Sequence, residues 1–167
     1  MPFTCGICGE YHDELMLDIR MGLPEAVFRM DETERGNRAD IGEDAGVFVD
    51  DDGQVRHYVR GLLELPIPEL DSYFGFGSWV EVSAEDYSRL GVLWDDPDAA
   101  GLQIPGSLAN ELEPYERTEG LPVTLRLRDL DVLPAIELAD VAHPIVGEYR
   151  DGIDPHRAAE IAAAVRN

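Results

Sequence analysis

The alternation of apolar and polar residues along the chain predicts four main strands. Apolar, β-branched and aromatic residues are concentrated in 46–50, 54–65, 75–83 and 122–128, and in 55–60, 79–83 and 123–128 the residues alternate with the period of a half-buried strand. The acidic segment Asp50-Asp-Asp52-Gly53 is typical of the turn of a hairpin, so the first two strands are expected to pair. Shorter extended pieces are predicted near 101–104 and 135–138.

A helical period predicts helices near 24–36, 84–94 and 155–166. Ser83 with Asp86 forms a capping-box pattern, and Asp154-Pro155 combines an N-cap with a first-turn proline. Strands and helices do not alternate as repeated βαβ units. The expected fold is therefore α+β: a single domain over 1–167, with a mainly antiparallel sheet and about three helices. A cysteine-turn segment, 1–20, would precede an α+β body, 21–167.

The charge balance narrows the class of partner. In 167 residues, 13 basic residues, all arginine, stand against 35 acidic ones, for a net charge of −22. Such a surface repels phosphate backbones and excludes direct nucleic-acid binding, whereas it favours a basic protein partner. Mimicry of nucleic acid and a merely solvated surface are the alternatives. No oligomeric state is specified.

The apolar residues are distributed as in a protein that is neither exported nor membrane-bound. They make up 44% of the chain but form no run long enough for a membrane-spanning helix. The start Met-Pro-Phe-Thr has no basic or apolar signal region. The expected location is the cytoplasm.

Both cysteines lie near the amino terminus in the motif Cys5-Gly-Ile-Cys8-Gly9, with His12 four positions beyond. A Cys-x-x-Cys turn places two thiolates on one side of a tight loop, as tetrahedral zinc requires. The motif predicts a small structural zinc site. Two buried thiols, a redox pair and a disulfide are the alternatives, and a reducing cytoplasm disfavours the last.

The remaining zinc ligands are expected among the histidines. His12 is closest in sequence to the cysteines, and His143, at a bend before Pro144, is the next candidate. His57 is the third candidate, although a histidine on the apolar face of a strand is more often structural. The metal ligands predicted are thus Cys5, Cys8, His12 and His143.

Two functions follow from these residues. The chain contains no recognisable catalytic triad, P-loop or nucleophile elbow, which favours a non-catalytic interaction module with a zinc-pinned amino terminus. The alternative is a zinc-dependent hydrolase with an open coordination position, in which Glu10 acts as base. A metal-free fold with two buried thiols is the third possibility.

Several motifs together resemble a bacterial family of uncharacterised proteins, domain of unknown function 2199. They are Cys5-x-x-Cys8-Gly9 with His12, Arg60-Gly61 leading to Leu65-Pro66, Gly77-Ser-Trp79-Val-Glu-Val-Ser83, and His143-Pro144 with the final helix. The resemblance implies no activity. Members of that family often carry a third cysteine near the position of Gly46, which this chain lacks, so the resemblance does not support a three-thiolate site here.

Overall fold

The structure is a computed structural model that describes residues 3–4, 11–12, 18–129 and 132–166. The described residues form ten strands in two sheets. Two short strands pair with each other near the amino terminus, and eight form the main sheet. The bounds are β1 Phe3–Thr4, β2 Tyr11–His12, β3 Asp18–Arg20, β4 Ala39–Ile41, β5 Ala45–Val49, β6 Val55–Ile67, β7 Ser72–Val82, β8 Gln103–Leu108, β9 Pro122–Arg126 and β10 Ala135–Leu138.

Five α-helices lie in the described residues, together with two short 3-10 turns. The helices are α1 Glu25–Phe28, α2 Glu32–Arg38, α3 Ala84–Leu93, α4 Pro144–Asp151 and α5 Pro155–Arg166. None of them combines the length and apolar character that a bilayer crossing demands.

The main sheet closes into a five-stranded barrel. The barrel order is β7-β8-β9-β10-β6, and β6 pairs again with β7 to complete the ring. All neighbours within the ring are antiparallel except β10 and β6, which meet at the parallel pair Ala135 and Leu62. The strands β5 and β4 extend from β6 outside the ring, and β3 lies parallel to β7.

The prediction of a mainly antiparallel sheet with about three helices was wrong. Alternation of residues reports which face of a strand is buried, but it does not report whether the first and last strands meet. Closure depends on the long strands β6 and β7, which pair over eleven positions. On its other edge each of these strands pairs with two further strands, each over only part of its length. There β6 pairs with β10 and β5, and β7 pairs with β8 and β3.

Individual elements agree with the sequence more closely than the architecture does. The strands β5, β6, β7, β9 and β10 and the helices α3 and α5 coincide with predicted segments. Ser83 accepts a hydrogen bond from the backbone N–H of Asp86 at 3.1 Å, and Asp154 accepts one from Arg157 at 2.7 Å, which confirms both predicted N-caps. Gly53 has φ +79° in the hairpin turn, a conformation that favours glycine.

The predicted helix 24–36 is two helices. Asp31 interrupts it by capping α2, since its side chain accepts a hydrogen bond from Glu34 N at 2.8 Å. The strand β4 and the helix α4 were not predicted. Each is short and takes its place from tertiary contacts rather than from its own periodicity.

Two apolar clusters fill the body on opposite sides of the long strands. The larger one is the barrel interior, which includes Leu63, Phe76 and Leu125 and is covered by α4 and α5. The smaller one lies outside the barrel, where Trp79 and Tyr58 pack against α1 and β5. The face of β6 and β7 that carries Trp79 is therefore a second interior.

Candidate functional site

Two short strands that flank the amino-terminal motif in sequence form a two-stranded hairpin. β1 and β2 are antiparallel, with Phe3 opposite His12 and Thr4 opposite Tyr11. The cysteine motif falls in the chain between these paired strands. Cys5, Cys8 and the side chain of His12 lie outside the described residues, so the zinc site remains a prediction.

His143, the fourth predicted ligand, caps helix α4. Its Nδ1 accepts a hydrogen bond from the backbone N–H of Ile145 at 3.1 Å, and its Nε2 lies 2.6 Å from the carbonyl oxygen of Glu116. With Nδ1 as the acceptor, Nε2 is the ring nitrogen that can donate to this carbonyl. Both ring nitrogens thus have partners, which a metal would have to displace. The His-Pro pair is itself an N-cap followed by a first-turn proline, and that signal could have identified this role.

The other described histidines also contact neighbouring side chains. The His57 ring lies 5.0 Å from the ring of Tyr87 on α3, measured between centroids. His156 lies 3.6 Å from Glu160 one turn along α5. In the part of the chain that the structure describes, no three His, Cys, Asp or Glu side chains come together as a metal site.

A buried arginine anchors the segment that follows β3. Arg60 on β6 is 2% exposed and donates from its two terminal nitrogens to the carbonyl oxygens of Glu43 and Met21, both at 2.6 Å. Its guanidinium lies 4.6 Å from the centre of the ring of Trp79, whose Nε1 also donates to Met21 O at 3.1 Å. Burial, followed by the charge of Arg20, lowers the pKa of Arg60. These contacts tie residue 21 and the β4–β5 loop to the barrel wall.

Beside this anchor, a buried polar network holds the next part of the segment. Asn110 accepts from the backbone N–H of Trp79 at 2.8 Å and donates to Leu23 O at 2.8 Å. The Thr118 hydroxyl donates to Asn110 O and accepts from Leu112 N, both at 2.8 Å. The network fixes residues 21–23 and 110–118 against one another.

A groove lined by acidic side chains and by a set of apolar residues, which we call its floor, lies at the carboxyl end of α3. We call it the carboxylate groove. It has a volume of about 420 Å³, and its acidic residues are Glu43, Asp44, Asp95, Asp96 and Asp129. The apolar residues that line it include Trp94, Leu127, Val132, Leu133 and Pro134.

The two arginines of the carboxylate groove are both engaged by carboxylates. Arg20 lies 3.5 Å from Glu43, and Arg128 donates to Glu64 at 2.8 Å and to Leu133 O at 2.9 Å. Their positive charge is therefore compensated within the chain, and the remaining carboxylates leave the groove negative.

A second groove, of about 550 Å³, lies beside α1 and is mainly apolar. Its lining includes Met21, Leu112 and Phe28, and the last of these is 62% exposed. Charges of both signs, from Arg35 and Glu113 among others, surround it. This mixture identifies no class of ligand by charge.

Neither groove was predicted from the sequence. Trp94 lies at the end of the predicted helix 84–94, and Asp95 and Asp96 follow it directly, so their sequence positions indicated no groove. The carboxylate groove forms because the end of α3 meets residues 127–129 and 132–134, and no local pattern reports that meeting. The surplus of acidic residues was the one available signal.

The comparisons with known proteins give one match. A family model described as "Uncharacterized protein conserved in bacteria (DUF2199)" matches residues 4–153, which include the hairpin except for its first residue, Phe3, together with the barrel and α4. Neither the curated proteins nor the solved structures contain a match.

Proposed function

The chain belongs to the bacterial family of uncharacterised proteins with domain of unknown function 2199, as its motifs indicated, and from that premise we propose a function. It is a non-catalytic interaction module that binds a basic protein segment in the cytoplasm. A zinc ion held by the amino-terminal hairpin stabilises that hairpin. Direct binding of nucleic acid or of a membrane forms no part of this function.

The pairing of the arginines supports a basic partner and carries the proposal. Nine arginines lie within 4.0 Å of a carboxylate of the same chain: Arg20, Arg29, Arg38, Arg56, Arg89, Arg126, Arg128, Arg150 and Arg157. Because these cations are already paired internally and 35 acidic residues stand against 13 arginines, a large excess of carboxylates remains to give the net charge of −22. Such a surface attracts cations and raises the association rate of a basic protein.

The zinc part of the proposal rests on the hairpin. Antiparallel pairing of β1 with β2 brings together the residues that flank the cysteine motif in sequence, with residue 12 opposite residue 3. A hairpin of two-residue strands has little stability of its own in water, so a metal would contribute much of what holds it.

Binding of a short basic peptide tests the interaction function. The probe is a fluorescein-labelled peptide with an Arg-Leu-Arg centre flanked by glycine and serine, and the control has Glu-Leu-Glu at its centre. Fluorescence anisotropy should show binding of the arginine peptide alone, weakening as sodium chloride increases because salt screens the attraction. If the intact protein binds neither peptide at low salt, the proposed function is wrong.

Metal analysis tests the zinc site on the same protein, purified without chelator. We expect one zinc per chain, and its loss in the double variant Cys5→Ser with Cys8→Ser. The variant should retain the far-ultraviolet circular dichroism of the barrel, because the metal is local to the hairpin. Absence of zinc from the unaltered protein, with both thiols freely titratable, would contradict the assignment.

A further inference from the structure

We infer that the carboxylate groove is the surface on which the basic segment binds, and that it takes an extended peptide with an apolar side chain between two arginines or lysines. This inference rests on the proposed function and gives it a location. It is drawn from the shape, the floor and the charge of the groove.

The floor of the groove suits an apolar side chain. Its volume of about 420 Å³ falls within the roughly 300–1,000 Å³ that is typical of binding pockets. Two residues that line it, Val132, which is 49% exposed, and the partly buried Trp94, keep apolar surface open to solvent. An aliphatic side chain placed in the groove would bury part of this surface, and the Trp94 ring could also receive a cation on its face.

The carboxylates are placed for several cations rather than for one metal ion. Asp95 and Asp129 are exposed on different elements, one after α3 and the other after β9. Among the described residues no three acidic side chains come together as a metal site. Carboxylates spread around a groove match a chain with separated positive charges, since the long stems of arginine and lysine reach outward to them.

The groove does not repel such a ligand with its own cations. Arg20 is paired with Glu43, and Arg128 is paired with Glu64. The groove beside α1, by contrast, contains Arg35, which donates to the carbonyl oxygens of Val27 and Phe28 rather than to a carboxylate, and it offers no comparable selection for a basic segment.

The test removes the same amount of charge at two places. The groove variant is Asp95→Asn with Asp129→Asn, and the control variant is Asp52→Asn with Glu69→Gln, at exposed positions elsewhere on the chain. The two variants have equal net charge, so they differ only in where the charge is lost. Binding of the Arg-Leu-Arg peptide should weaken about tenfold in the groove variant and less than about twofold in the control.

A second pair of variants tests the apolar floor. Val132→Ser should weaken the binding of the Arg-Leu-Arg peptide several-fold, whereas Val92→Ser, at a residue of α3 that is 81% exposed and does not line the groove, should not. A peptide with an Arg-Ser-Arg centre should bind the unaltered protein as weakly as the leucine peptide binds Val132→Ser.

The outcomes separate the two proposals. Equal weakening in the groove and control variants would show that the whole negative surface attracts the peptide, which overturns the groove assignment but retains the proposed function. Unchanged binding in the groove variants overturns the assignment as well. If no arginine peptide binds the unaltered protein, both proposals fail.

Discussion

Arg60 shows how much one residue can determine when it is buried without a carboxylate. Its charge is held by two carbonyl oxygens and the face of Trp79, and its Nε has no hydrogen-bond partner among the described residues. Burying a charge is costly unless hydrogen bonds and a favourable electrostatic environment offset the lost hydration. The buried Arg60 in return joins three segments that are distant in sequence, through its contacts with Met21, Glu43 and Trp79.

We predict that Arg60→Met lowers the free energy of unfolding by about 2–4 kcal/mol, because it removes charge-assisted hydrogen bonds and the contact with Trp79. The measurement is urea denaturation followed by tryptophan fluorescence. Arg89→Met is the matched control, since Arg89 is exposed and its pair with Asp86 lies on the surface of α3. It should change stability by less than about 0.5 kcal/mol, and equal losses in the two variants would refute the anchoring role.

At this scale the sequence identified residue types but not their partners. Ser83, Asp154 and Gly53 were predicted in their roles because caps and turns depend on neighbours within a few residues. His143 was predicted as a ligand, and the structure places it as a helix cap whose second partner, Glu116, is 27 residues away. The anchoring role of Arg60 likewise depends on Met21, 39 residues away.

At the scale of elements, closure of the barrel depends on a close approach at Gly61. A Cβ atom at this position would lie 2.7 Å from Ile136 Cγ1, 2.8 Å from Leu125 Cδ2 and 3.1 Å from Pro134 O. Leu62 N donates to Pro134 O at 2.8 Å, next to the single parallel pair that joins β6 to β10. The absence of a side chain at Gly61 therefore lets β10 approach β6 closely enough to pair with it.

Replacing this glycine tests the closure. Gly61→Ala should destabilise the fold by about 1–3 kcal/mol, because the added methyl overpacks the seam of the barrel. Gly91→Ala, within α3, is the control, because no described atom lies within 4 Å of the place that its added methyl group would occupy. That change should stabilise the protein by up to about 1 kcal/mol through helix propensity. Thermal denaturation of both variants measures the contrast, and a neutral Gly61→Ala would show that the seam is loose.

The elements were predicted well where local periodicity decides them and poorly where contacts do. Strands β6 and β7 are long and strongly patterned, so their positions were found. Strand β8 was placed near 101–104 but spans Gln103–Leu108, because its pairing with β9 determines where it ends. Closure itself requires the parallel contact between Leu62 and Ala135, and no pattern within either strand encodes it.

For the molecule as a whole, the net charge of −22 opposes folding, because the compact state brings like charges together. The arginine pairs compensate only part of this repulsion. Most of them are at least partly exposed, and such pairs contribute little stability each. Salt screens both the repulsion among carboxylates, which stabilises the fold, and the attraction within the arginine pairs, which destabilises it. The first effect should therefore be the larger one.

We predict that the melting temperature rises by about 4–8 °C between about 0.02 M and about 0.5 M sodium chloride, corresponding to roughly 2 kcal/mol. Differential scanning calorimetry measures it. Sodium sulfate at the same ionic strength is the control, and should give a similar rise if screening is the cause. A melting temperature that falls with salt would mean that the ion pairs dominate.

The anchorage of residues 21–23 has a mechanical consequence. The carbonyl oxygen of Met21 accepts hydrogen bonds from Arg60 and Trp79, and that of Leu23 accepts one from Asn110. Strand β3, just before them, pairs in parallel with β7. A force applied at the amino terminus would load these bonds in shear before it reached the ring. Tension on the hairpin would therefore act first on the hydrogen bonds to Met21 and Leu23. The barrel would keep its shape while these bonds held.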